Sequence, residues 1–268
     1  MRIVAICGSH PRHMFVLDKL IGTGVIVGVV LMKRENMIEP PLVDLSSHMK
    51  DLYKRHFKLR VMMENSYFGS VDIQAIAKEV PVIEVSSEEL NCNAVSDFIE
   101  KVRADTIFSY GPDLLHDNIL SKVNYNAFNL HGGLSPWYKG AATMFWPFYF
   151  LEPNFVGTTL HYITKKIDAG NIVHHTVPKL NRGDCMHEVA CKAIVAAAED
   201  VCKVFMNMSE GKQYPGVQQK KNGKLFLTKD WRPEHLQLIY DVYDDKIVDL
   251  YLNGEINKNN EPKLIKVI

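Results

Sequence analysis

The sequence predicts an α/β protein built on a doubly wound, mostly parallel sheet, and three observations predict it. Short apolar runs recur from the start: RIVAIC (2–7), VIVGVVLM (25–32), PVIEV (81–85), DTIFSY (105–110) and NAFNLH (126–131). Segments of helical periodicity separate them, so the order is strand, helix, strand. The runs are nearly continuous in apolar residues, as strands covered by helices on both faces are. Rossmann-like sheets of this kind hold ligands at the carboxyl ends of their strands.

The elements follow in order. Gly8 ends the first run, and Met14, Phe15, Leu17 and Leu20 then mark one buried helix face. Gly22 and Gly24 break that helix before the second strand. The stretch 51–69, DLYKRHFKLRVMMENSYFG, reads as an amphipathic helix with a solvated face rather than an RNA-binding surface. Helices near 91–103 and 113–122 separate the next strands. GTTLHYIT (157–164) and NIVHHTV (171–177) predict two strands around the loop KKIDAG. A long amphipathic helix runs from Asp184, a plausible cap, to about Met208. A glycine- and lysine-rich connection, Gly211 to Gly223, divides a main domain (1–210) from a short C-terminal α+β extension (211–268). In the extension we expect LFLTKDW, a short helix near 233–243 and a last strand, IVDLYLNGE. That strand either finishes its own sheet or pairs with a second copy in a homodimer.

Composition narrows the function. The 268 residues carry 31 Lys and Arg against 31 Asp and Glu, so no basic field exists to grip a phosphate backbone, and nucleic acid is not the expected partner. Five scattered cysteines without a CxxC pair predict small buried side chains in a reducing compartment. The chain starts directly in a strand, and no apolar stretch is long enough for a bilayer. The expectation is a soluble, cytoplasmic protein without a membrane partner. No metal is expected either. His174 and His175 alternate faces of a strand, and Cys185, His187 and Cys191 suit a buried helix face better than zinc.

The chemistry concentrates in NLHGGLSPWYKG, residues 129–140. Asn129 and His131 are two apart and project together from the carboxyl end of their strand. Gly132, Gly133 and Pro136 impose an irregular path, and Lys139 adds a cation. Asp168 lies 37 residues downstream in a second irregular loop. A carboxamide, an imidazole and a carboxylate at one sheet edge suit acyl transfer to an amine. Such a reaction needs a donor for a developing oxyanion and a route for one proton off the attacking nitrogen and one onto the leaving nitrogen.

This set of motifs, N-x-H with its Ser-Pro and Lys-Gly loop, then G-T-T-L-H, then I-D-A-G-N-I, resembles the folate-dependent formyltransferases. The resemblance spans about 100–178 most clearly. It implies the formyltransferase fold, N10-formyltetrahydrofolate as donor cosubstrate, and Asn129, His131 and Asp168 as the catalytic trio. It also implies a folate pocket between SYGPDLL (109–115) and TKKIDAG (164–170), with Tyr110, Gly111, Leu114, Leu115 and Ile167 as contacts. His161 matches a family position near the site.

Departures bear on the acceptor. After the first strand, CGSHPRHM keeps Gly8 and Ser9 but lacks the rest of the phosphate loop of the purine-pathway members; Arg12 or His13 remains available to an acceptor phosphate. The short tail and zero net charge disfavour a methionyl-tRNA acceptor. The expectation is therefore the sugar N-formyltransferase branch, acting on a nucleotide-linked amino sugar. Gly8, Ser9, Arg12, Trp137 and Lys139 are its candidate contacts, with Trp137 and Tyr138 available for stacking. The alternatives are another acceptor in the same family, a formyltetrahydrofolate hydrolase, and a non-catalytic folate-binding module.

Overall fold

A computed structural model describes residues 1–33, 45–219, 223–257 and 259–268. The predicted boundary, Gly211 to Gly223, lies partly outside the described residues. Five parallel strands form the bulk of the sheet: β1 (Ile3–Gly8), β2 (Ile26–Met32), β3 (Val82–Val85), β4 (Thr106–Tyr110) and β5 (Ala127–His131). After a short strand β6 (Tyr138–Gly140), two antiparallel strands, β7 (Thr158–Tyr162) and β8 (Ile172–Thr176), extend the edge beyond β5. The order is β3-β2-β1-β4-β5-β7-β8. β1 and β4 are therefore the neighbours at which the winding reverses, where open α/β sheets seat ligands.

Strand alternation divides the core in two. Ile3, Ala5, Cys7, Phe108 and Phe128 face one side and pack with α1 (Pro11–Ile21) and α7 (Met186–Ser209). Val4, Ile6, Ile107 and Ala127 face the other and pack with α4 (Asn93–Lys101) and α5 (Asp117–Leu120). Phe108 and Phe128 both meet Phe205 of α7 edge-on, with centroids 5.6 and 5.5 Å apart. Truncating one of these rings to Ala costs about 3–5 kcal/mol.

The 51–69 stretch lies in the helix α2 (Ser47–Phe68), started by Ser46, whose hydroxyl accepts from the Met49 N–H. The helix α3 (Ile73–Glu79) leads into β3. A third core joins α2 to the C-terminal residues: Met49 and Leu52 pack with Phe145, Trp146 of α6 (Trp146–Tyr149), Phe226, Ile239, Tyr240, Ile247 and Val248.

The structure departs from the sequence expectations at four places. Asp184 does not cap α7: Cys185 is the cap residue, while the Asp184 carboxylate takes the Asn181 N–H and the Lys192 ammonium. The helix expected over 113–122 shrinks to α5 plus one 3₁₀ turn (Ser121–Val123). The Asn91 side chain takes the His116 N–H and donates to the Leu114 carbonyl, which holds that segment extended. IVDLYLNGE is not a strand; Ile247–Leu252 forms the helix α8. Ile247 and Val248 are both fully buried in the third core, and strand pairing with a second copy falls away with the strand. The helix expected near 233–243 is a 3₁₀ turn (Pro233–His235) followed by a π-helical turn (Leu238–Val242), and before it Lys224–Phe226 forms β9, which pairs parallel with β6.

Candidate active site

β5 carries Asn129 and His131 to the carboxyl edge of the sheet, where a cleft of about 750 Å³ opens. The Ser109 hydroxyl, in register on β4, donates to Asn129 Oδ1 at 2.8 Å. Asn129 Nδ2 donates to His161 Nε2 at 3.2 Å, and His161 donates its Nδ1–H to the Tyr162 carbonyl at 2.8 Å. These three bonds orient the carboxamide. One Nδ2 hydrogen is used, and Asn129 lines the cleft with the other still to donate.

His131 is 7% exposed, and its Nε2–H donates to the Tyr138 carbonyl at 2.9 Å. A carbonyl only accepts, so the neutral ring carries its lone pair on Nδ1. That nitrogen lies 3.4 Å from Asp168 Oδ2, while Asp168 Oδ1 lies 3.5 Å from His161 Nε2. Asp168 takes φ 47°, a left-handed backbone that aspartate tolerates better than bulkier residues. Its loop is tied from the C-terminal side: the Gln219 amide donates to the carbonyls of Asp168 and Gly170, each at 2.8 Å.

The Gly140 N–H donates to Asp168 Oδ2 at 2.9 Å. Gly140 sits at φ 86° with β9 against it, and a Cβ there would lie 2.2 Å from the Phe226 carbonyl oxygen. The loop between β5 and β6 is clasped by β7 and β8. The Thr159 hydroxyl accepts from the Ser135 N–H and donates to the Gly133 carbonyl, and the His175 ring donates to the Ser135 carbonyl. His174 turns the opposite way, to Asp200.

The electrostatics separate the two central groups. Burial holds His131 below the usual histidine pKa, against the opposing pull of Asp168 and the Tyr138 carbonyl. Burial alone would raise Asp168, but His131, His161 and the Gly140 N–H outweigh it and hold the carboxyl at about 2. At neutral pH the pair is an imidazole facing a carboxylate. Two acceptors 3.4 Å apart repel unless a proton lies between them, so the pair is poised to accept one.

The candidate contacts divide. Tyr110, Gly111, Ile167 and Arg12 line the cleft together with the trio. Leu115 is buried in the core with Ile119 and Val95, and Leu114 is 54% exposed outside the cleft. Trp137 packs edge-on against Phe155, and Tyr138 stacks on Phe226. Neither ring reaches the cleft, and neither does Lys139 on β6, nor Gly8 at the end of β1, nor Ser9 in the loop before α1. The aromatics that do line it are Phe57 and Phe68 of α2, Tyr110, Phe145, Phe226 and Trp231. Sequence reasoning missed Ser109, Arg60, Glu64 and Gln219. For Ser109 the signal was a polar residue inside an apolar strand, and for Arg60 and Glu64 their helical spacing of four. Among the described residues no group of acidic, His and Cys side chains could hold a metal ion, and no helix is long and apolar enough to cross a membrane.

A model of the formyl transferase family matches residues 56–202, more than half of the chain. The fold is similar to that of a phosphoribosylglycinamide formyltransferase from Anaplasma phagocytophilum, at 16% identity over 85% of this chain and 97% of that one, with a TM-score of 0.56. It is also similar to a sugar N-formyltransferase from a Shewanella species (14% identity, 89% and 87% covered, TM-score 0.54). A third is an N-formyltransferase from Helicobacter canadensis in complex with folinic acid and dTDP-3-aminofucose (17% identity, 91% and 82% covered, TM-score 0.52).

Proposed function

This chain belongs to the formyl transferase family, and we propose that it moves a formyl group from N10-formyltetrahydrofolate to the amino group of a nucleotide-linked amino sugar. The observation that carries the reading is the convergence of Asn129, His131 and Asp168 on one cleft. The residues present fit a folate: Tyr110, Gly111, Pro112 and exposed Ile167 line the cleft beside the trio, and its volume suits a small-molecule site. When bound, the donor supplies an electrophilic formyl carbon.

The protein's residues do the rest. Asn129, oriented by Ser109 and His161, offers its remaining N–H to the formyl oxygen as that oxygen gains charge. The neutral His131 ring, facing the Asp168 carboxylate, accepts the proton that the attacking amine gives up. The resulting imidazolium, stabilised by the carboxylate, then serves as the acid for the leaving nitrogen. Holding amine and formyl carbon together in one cleft supplies a large part of the rate gain.

Release of tetrahydrofolate from N10-formyltetrahydrofolate, with and without a panel of nucleotide-linked amino sugars, tests the reading. Release that requires one of those amines supports it and identifies the acceptor. Equal release without any amine replaces it with hydrolysis.

A further inference from the structure

Away from Asp168, the cleft carries two guanidiniums that the formyl chemistry does not use. Arg12 stands in the first turn of α1 and Arg60 in α2, and both converge on one carboxylate. Arg12 Nη2 lies 3.0 Å and Arg60 Nε 2.9 Å from Glu64 Oε1. Glu64 is 5% exposed, whereas the Arg12 and Arg60 side chains keep 22% and 25% of their surface, and all three line the cleft. The carboxylate is the buried anchor, and the guanidiniums are the face it presents. Two positive charges against one negative leave an excess positive charge there. As a purely structural tie the arrangement is poor. Arg12 and Glu64 can meet side-on through two parallel bonds. Instead Arg12 Nε and Glu64 Oε2 are both buried without a hydrogen-bond partner.

The crevice between β1 and β4, the usual ligand seat, is already filled by His13. Its ring is 7% exposed and packs edge-on against Tyr110, with centroids 4.5 Å apart. A Cβ at Gly8 would lie 2.6 Å from this ring, and one at Gly111 2.2 Å. An oxyanion therefore cannot settle between these two loops. Arg12 and Arg60 are the only Lys or Arg side chains lining the cleft among the described residues. Arg12 follows β1 and His131 ends β5, and with β4 between them those two strands lie two inter-strand steps, roughly 10 Å, apart.

We propose that Arg12 and Arg60, pinned by Glu64, form the seat for a phosphoryl oxyanion of the acceptor. The acceptor's identity rests on the formyl-transfer reading above; the seat itself does not. The separation of the β1 end from the β5 end, where His131 stands, selects an amine well separated from its anion. A phosphoryl-bearing amino sugar meets that requirement, and a free α-amino acid is too short. Asp168 at one end and the guanidiniums at the other also fix which end of the acceptor enters first.

The test uses the full chain and two probes that do not turn over, inorganic pyrophosphate and 5-formyltetrahydrofolate, each titrated by calorimetry. Arg60→Gln is expected to weaken pyrophosphate binding about tenfold or more, and to leave 5-formyltetrahydrofolate binding unchanged. Unchanged pyrophosphate affinity would overturn the proposal and leave the cluster a tie between helices. A loss confined to the folate would also overturn it, and would assign the guanidiniums to the folate's carboxylates. In the unaltered protein, pyrophosphate is expected to shield Arg12 and Arg60 from phenylglyoxal, read by mass spectrometry. Absence of shielding overturns the seat whether or not any variant folds. Pyrophosphate binding without formyl transfer to any amino sugar would remove the acceptor reading and leave the seat standing.

Discussion

The two ends of the cleft are built differently. The catalytic end draws mainly on residues 109–168, and main-chain groups hold three of its side chains: the Tyr138 carbonyl on His131, the Gly140 N–H on Asp168, the Tyr162 carbonyl on His161. Asn129 is held by the side chains of Ser109 and His161. The other end draws on α1, α2, α7 and the residues around Trp231, and side chains hold side chains. There Glu64 gathers two arginines, and the Tyr240 hydroxyl bridges His56 at 3.0 Å and His187 at 3.4 Å. On the proposed function, the contrast separates a reaction from a choice of substrate. Backbone-held groups keep their geometry when neighbouring side chains change, whereas a surface of side chains is rewritten by single substitutions.

The largest effect should come from the backbone-held end. Asp168→Asn keeps the Gly140 contact but removes the charge that stabilises the imidazolium, and His131→Ala removes the proton acceptor. Each is expected to lower kcat by about 10²- to 10⁴-fold with the circular dichroism spectrum unchanged. Near-normal turnover in either variant would end the assignment.

Acid should destabilise the protein through buried histidines at both ends. Burial pushes His56 down to about 4 and His187 well below its usual range. His175, under the catalytic loop, is also at about 4. Below pH 6.5 the unfolded chain takes up protons that these folded rings refuse, so stability falls until the pH reaches their folded values. Between pH 6.5 and 5, His56 and His175 should each cost about 2 kcal/mol. Denaturant melts at the two pH values check this, and His56→Gln should flatten the slope.

Smaller effects sharpen the division. Ser109→Ala removes one of the bonds that orient Asn129, and at about 1 kcal/mol should lower kcat five- to tenfold without moving the donor's KM. Lys139→Ala should be the mildest. Lys139 does not line the cleft, yet its charge helps hold His131 down. The acid limb of the rate profile should move to higher pH, with the plateau rate kept. A collapse of the plateau would mean that Lys139 touches substrate.

Much of the catalytic end was legible in the chain. A period of two places Asn129 and His131 on one side of a strand whatever surrounds it, and apolar runs broken by glycine mark β1, β2, β4 and β5. Asp168 stood out as a carboxylate in an irregular loop between strands. These are local properties, set by backbone geometry over a few residues, and they survive any packing.

What the fold added depends on contacts between segments far apart in sequence. Gln219 reaches back about fifty residues to hold the Asp168 loop. IVDLYL forms a helix whose Ile247 and Val248 are buried in one core with Ile239 and Tyr240. Trp137, an apparent stacking residue, packs beneath the loop, and Trp231 takes its place on the cleft wall. Arg60 and Glu64 read as a solvated helix face until α1 brings Arg12 against them. Side-chain packing between distant elements leaves no spacing in the sequence, so it becomes visible only when the sheet has drawn those elements to one edge.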